Sequence, residues 1–180
     1  MKEEGTMPTA PSTGNYYLGK GILSFDRFDS DGLPTGLRDL GNAPNFTIQP
    51  TLETLDHFSS REGIKTKDLS VVTMVGATVK FKLEEYDKAN LALAFLGEVS
   101  GNIIHALTQT QLEGELRFAG GNDIGPNFNA ICWRVRLKPT SEVPFITDEW
   151  GGIEFEGEIL SDVANHPTSP FFDLEEIVAS

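Results

Sequence analysis

The chain reads as a mainly β protein, a β-sandwich or rolled sheet with one short flanking α-helix and a long protruding hairpin loop. Three observations predict this. Residues 79–83, 130–137 and 153–160 alternate apolar and charged side chains with the two-residue period of half-buried strands. Clusters of Gly, Pro, Asn and Asp separate these runs and mark turns. One stretch, after Leu83, changes to the helical period through Leu91, Ala94 and Phe95, and a lone helix has to cover one end or face of a sheet. A length of 180 residues supports one hydrophobic core. One domain is therefore expected over 16–163, between a flexible N-terminal arm, 1–15, and a C-terminal arm, 164–180.

Residues 1–14 are rich in Pro, Thr, Ser and Gly and read as an arm that orders only against a partner. Leu18, Ile22 and neighbouring aromatics suggest a first strand in 16–28, its regularity broken by Gly19 and Gly21. The turn formers of 29–36 read as a loop. Phe46 and Ile48 share a face, as do Leu52 and Thr54, so a strand bent or broken at Pro50 follows. Residues 56–67 are polar and mixed in charge and read as a long connection, which with the next strand makes a hairpin projecting from the domain. That strand, 71–83, extends over about 40 Å. Its 79–83 half is expected in the core and its 71–74 end in the projection, with a bend or bulge at Gly76.

Glu84, Glu85 and Asp87 place negative charge where a helix begins, and Gly97 fits its C-cap. Gly101 and Asn102 mark a turn in the polar 98–110 stretch. Leu112, Leu116 and Phe118 point inward on a strand over 111–118, followed by a glycine-rich loop at 119–129. On the next strand Trp133, Val135 and Leu137 face one way, Arg134 and Arg136 the other, and Pro139 ends it. Ile153, Phe155 and Ile159 point inward on the last strand, leaving Glu154, Glu156 and Glu158 about 6–7 Å apart outside. Such a row repels itself unless it is wet or opposed by cations such as Arg134 and Arg136. The tail residues Phe171, Phe172, Leu174 and Ile177 dock on this chain's own core or on another subunit.

Acidic side chains number 27 against 14 basic ones, a formal charge of -13, and no Lys or Arg follows Lys138. That balance opposes sequence-specific DNA binding, which needs cations to displace phosphate counterions. It fits plain solubility, or a surface that repels a polyanion or meets a basic partner. Cys132, the one cysteine, reads as a buried core thiol in a reducing compartment. The first residues lack the apolar run of a signal peptide, and no window approaches a membrane span. His57, His105 and His166 have no neighbour at ligand spacing, and the D-x-D-G at 29–32 lacks the EF-hand pattern. GGNDIG at 120–125 lacks the spacing and Lys of a phosphate loop, and no nucleophile motif is present. No enzyme, cofactor or metal is expected. An assembly subunit is, because a protruding hairpin with unpaired edges is a hazard until another chain covers it.

Residues 41–97 resemble the major tail tube proteins of tailed bacteriophages, within the wider superfamily of injection-system tubes. The likeness is carried by GNAPNFTI (41–48), by Glu53, His57-Phe58-Ser59-Ser60 and Gly63, and by Leu83-Glu84-Glu85 ahead of a short helix. Residues 133–139 and 150–162 resemble that family's closing strands. The resemblance implies hexameric rings stacked into a hollow tube, with an acidic lumen that conducts DNA during ejection. It implies contacts with the tape measure protein and with tail terminator and tip proteins, no membrane, and a place in the virion after assembly in the host cytoplasm. Ring-to-ring contacts are then expected at His57, Phe58, Arg61, Glu62, Lys65, Lys67, Phe171 and Phe172. Lumen carboxylates are expected among Glu98, Glu113, Glu115, Asp123, Glu154, Glu156 and Glu158. A ring-forming head-tail joining or tail-terminator protein is the alternative of the same kind. A carbohydrate-binding β-sandwich, using Tyr16, Tyr17, Trp133 and Trp150, is the alternative of another.

Overall fold

The structure, a computed structural model, describes residues 12–61, 63–138 and 142–177, so the expectations for residues 1–11 and for Glu62 lie outside the described residues. The fold is mainly β and antiparallel, with one short helix. The strands are β1 (Gly21–Phe28), β2 (Pro34–Asp39), β3 (Asn45–Ser59), β4 (Thr66–Leu83), β5 (Glu98–Ser100), β6 (Ile103–His105), β7 (Leu112–Gly120), β8 (Asn127–Leu137), β9 (Ile153–Ile159) and β10 (Phe172–Ile177). Helix α1 spans Lys88–Ala94. The main sheet runs β2-β1-β7-β8-β9-β4-β3, with β10 added against β8, while β5 and β6 form a separate hairpin.

The sheet is rolled. Strands β3 and β7 stand four places apart in hydrogen-bonding order, which in a flat sheet would separate them by about 19 Å. Yet the rings of Phe46 on β3 and Phe118 on β7 lie 5.5 Å apart, so the sheet curls until its ends share one interior. Alternate residues fill that interior: Leu23 and Phe25, Leu112 and Leu116, Cys132 and Val135, Ile153 and Ile159, Val79 and Leu83. Phe81 and Phe155, directly paired across β4 and β9, stack at 4.9 Å. Gly114 leaves room for the ring of Phe25, because a Cβ there would sit 2.4 Å from that ring.

A bulge bends β8. Gly114 pairs with Val135 but Leu116 with Cys132, so β8 carries an extra residue at Trp133–Arg134. The bulge turns Cys132 and Val135 both inward and leaves Trp133 half-buried, correcting the expected facing of Trp133 with Val135. At the same point β8 changes partner on one edge, from β10 (Cys132 and before) to β9 (Val135 and after). Trp133 clasps the returning tail: its Nε1–H donates to the Ser169 carbonyl at 2.9 Å, and the His166 ring stacks on it at 3.7 Å. Asp162 holds that imidazole through Nδ1 at 2.9 Å.

Helix α1 starts later than Glu84. Asp87 is its N-cap, accepting from the Asn90 amide at 2.6 Å, while Glu84 and Glu85 bind Asn42 instead. Its C-terminus is a Schellman turn in which Leu96, not Gly97, takes the left-handed conformation, with Gly97 N bonded to Ala92 O at 2.8 Å. Burial of Leu96 in the core offsets the cost of that backbone. Gly97 is needed for a different reason, since a Cβ would come within 2.4 Å of the His105 carbonyl. Asn90, fully buried, fastens the helix: its Nδ2 donates to Leu40 O and Glu85 O, both at 3.0 Å, and its Oδ1 accepts from Arg38 at 2.8 Å.

Other differences are additions of strand. The 29–36 loop closes early, where Asp29 Oδ1 accepts from the amides of Asp31 and Leu33, and β2 follows. The polar 98–110 stretch contains the β5–β6 hairpin about Gly101. Residues 164–177, expected as an arm, include β10, which docks on this chain's own β8.

Candidate assembly surface

The hairpin of β3 and β4 is the largest departure from the expected connection. β3 runs unbroken through Pro50 to Ser59, and β4 begins at Thr66, so half of residues 56–67 are paired strand and the connection shrinks to 60–65. Pro50 is tolerated because β3 is an end strand, with one edge free of ladder partners. The pairing is regular at Gly76, opposite Thr51. The bulge falls at Thr73, between Glu53–Met74 and Thr54–Val72, and a second falls at Asp68.

β9 pairs with β4 only from Ala77 to Leu83. Beyond Ala77 the hairpin therefore leaves the sheet as a two-stranded ribbon about 35 Å long, with both outer edges open. Its middle is apolar on both faces. Register places Leu52 against Val75 and Thr54 against Val72 on one face, and Leu55 against Val71 on the other, where Met74 and Leu69 flank them. All are exposed, Leu55 by 68 % and Val75 by 57 %. Near the tip the polar pairs hold the ribbon: Lys67 Nζ to Asp56 at 2.8 Å, Ser70 to Asp56 at 2.6 Å, and His57 to Asp68 at 2.6 Å. The first two contacts hold the Asp56 carboxyl below its usual range, the Lys67 hydrogen bond foremost and then that of Ser70.

The expected ring-contact residues thus separate. His57, Phe58, Arg61, Lys65 and Lys67 all lie on the ribbon's outer end, while Glu62 is outside the described residues. Phe171 and Phe172 are elsewhere: both pack half-buried against this chain's core, and Phe171 O accepts from Trp133 N. In the single chain they anchor the tail.

The expected lumen carboxylates are scattered as well. Glu113, Glu154, Glu156 and Glu158 share the outer face of β7, β8, β9 and β4, but Lys80, Lys82, Arg134, Arg136 and Lys138 share it too. The face is a mixed-charge ladder rather than an acidic wall. Burial pushes the Glu113 carboxyl up, but hydrogen bonds from Arg136 (2.7 Å) and Arg134 (2.6 Å) outweigh it and hold the group ionised below its ordinary range. Lys138 at 2.9 Å, with Lys80 at 3.6 Å, does the same for Glu156. Glu115 pairs with Arg117, and Asp123 with Lys20. Glu98 accepts from Gln109 at 2.6 Å. Glu154 and Glu158 have no ion-pair partner among the described residues.

An open groove of about 1000 Å³ runs past Arg27, Asp29, Glu98, Gln109, Glu113 and Arg134. Three of its carboxylates are occupied: Asp29 closes a turn, Glu98 holds Gln109 and Glu113 holds two arginines, while Asp31 has no side-chain partner among the described residues. Cys132 is buried, and burial first, then Glu115, pushes its thiol up to about 12, leaving it protonated. Among the described residues no cluster of His, Cys, Asp and Glu suits a metal, and no helix is long and apolar enough to cross a membrane. Of the aromatic set considered for glycan binding, Trp133 is covered by His166 and Tyr17 leans on Phe128.

The surface features define a β protein with an exposed ribbon that is apolar on both faces. The chain belongs to the family described as "Protein of unknown function UCP028589", whose model matches residues 16–103 and 100–175. No curated protein matches it.

Proposed function

We propose that this chain is a structural subunit of a bacteriophage tail tube, assembling into stacked hexameric rings around an acidic lumen through which DNA passes during ejection. The observation that carries the reading is the β3–β4 ribbon. Two-stranded ribbons are marginal alone in water, and this one bears apolar side chains on both faces and two open edges. A single occupant of one face would leave the other wet, so the ribbon suits insertion between neighbours in a repeating assembly. The rolled sheet, the short helix and the order of motifs in 41–97 support the same reading. Glu154 and Glu158, uncommitted to cations, are the strand carboxylates best suited to face a lumen.

Negative-stain electron microscopy of the purified chain tests this. Long hollow tubes are the expected result, isolated rings point to a joining or terminator protein, and monomers at every concentration overturn assembly altogether. Deletion of residues 57–66 joins Asp56 to Lys67 and leaves 67–69 as the new turn. That variant is expected to fold and to fail to polymerise, and normal tubes would remove the ribbon from the mechanism.

A further inference from the structure

We propose that the ribbon's tip docks, head to tail, onto the 142–150 loop of a second copy of this chain. The inference rests on the self-assembly reading and names the surface that receives the ribbon. Three observations select it.

The tip holds positive charge that no described residue pairs. Among the described residues, Arg61, Lys65 and Lys82 are the cationic side chains with neither an ion pair nor a hydrogen-bond partner, and two of these three stand at the tip beside the exposed Phe58 and Ile64. The 142–150 loop is the complement. It carries Glu142, Asp148 and Glu149, which make no ion pair among the described residues, and it presents Ile146 at 97 % and Trp150 at 94 % exposure. This loop is also built rather than loose. Tyr86 Oη donates to Pro144 O at 3.0 Å, the Phe145 ring meets Tyr86 edge-on and stacks parallel to Phe95, and Thr147 Oγ1 donates to Glu149 O while accepting from Glu149 N.

Topology makes the contact intermolecular. The loop joins β9 where Ile153 pairs with Leu83, at one end of β4, whereas the tip lies beyond Thr66 at the other. Eighteen residues of continuous strand, about 55 Å, separate them. A basic apolar tip at one pole and an acidic apolar platform at the opposite pole make a heterologous contact, which propagates along the strand axis and leaves a free tip on each new copy.

Cysteine pairing on the full chain tests the contact. With Lys65→Cys and Asp148→Cys together, mild oxidation of assembled protein is expected to give a ladder of dimers, trimers and higher species on a non-reducing gel. Each single variant is expected to stop at the monomer or at most the dimer, and the buried Cys132 stays silent. Charge exchange is the second arm. Arg61→Glu with Lys65→Glu is expected to raise the critical concentration for assembly about tenfold, and adding Asp148→Lys with Glu149→Lys to the same chain is expected to bring it back. Tubes or rings that form without a ladder, or a fourfold variant no better than the tip variant, overturn this contact and leave the assembly reading standing. Wild-type protein that stays monomeric overturns both.

Discussion

Two side chains carry consequences out of proportion to their size. Glu113 accepts hydrogen bonds from two arginines, so its folded carboxyl lies below the ordinary value of 4.5. A depressed carboxylate contributes stability that is complete above the unfolded value and disappears as pH falls through the folded one. Glu113→Gln is expected to cost about 1–3 kcal/mol near neutrality and to flatten the loss of melting temperature between roughly pH 5 and pH 3. An unchanged acid profile would show that the arginines find equal partners without it. Asn90 offers the opposite polarity. Asn90→Ala orphans the buried Leu40 carbonyl and the part-buried Glu85 carbonyl and is expected to cost about 1–3 kcal/mol by chemical denaturation. Asn90→Asp is expected to cost more, because a carboxylate keeps the Arg38 contact but turns acceptor against the acceptors Leu40 O and Glu85 O. Neither residue was legible in the sequence. Glu113 looked like any outward acid, and Asn90 sat in a helical pattern with nothing to announce Leu40, fifty positions away.

Strands were legible where one face is dry. β4 beyond Ala77, β7, β8 and β9 show their period because burial enforces alternation. The ribbon shows none, since its bulges at Thr73 and Asp68 shift the register and both faces are apolar in the isolated chain. Its apolar middle reads as strand, and only its outer end, 56–67, as a polar connection, because Asp56, His57, Lys65 and Lys67 follow no core pattern; projection itself was foreseeable from the length of the strand. Pattern alone also missed the bulge at Trp133–Arg134, which changes which side of β8 is inside. At this scale Leu55→Glu separates folding from assembly. Leu55 is open to solvent in the single copy, so stability is expected to change by less than about 0.5 kcal/mol, while sedimentation is expected to show loss of the large species. In the core the reverse holds: Phe155→Ala is expected to cost about 3–5 kcal/mol by removing the ring stacked on Phe81.

For the molecule as a whole, a charge of -13 sets copies against one another before any contact forms. Raising ionic strength from about 0.01 to about 0.15 M shortens the Debye length from about 30 to about 8 Å. The long-range repulsion is screened while apolar burial along the ribbon is not, so the critical concentration for assembly is expected to fall. A rise, measured by sedimentation across that range, would mean that tip-to-loop ion pairs dominate the association. The acidity was plain from composition, but its pairing was not: the lysines and arginines that neutralise Glu113 and Glu156 are brought beside them only by the order of strands in the rolled sheet. Pro50 acquires meaning at the same scale. The outer edge of β3 is an unfinished ladder, and a newly made chain meets strangers before it meets its own kind. With no amide hydrogen at Pro50, a foreign strand cannot zip along the whole of that edge, and templated growth of fibrils is interrupted near the base of the ribbon. Replacing Pro50 with valine would complete the template, so ordered polymer and amyloid-like precipitate would then compete for the same edge.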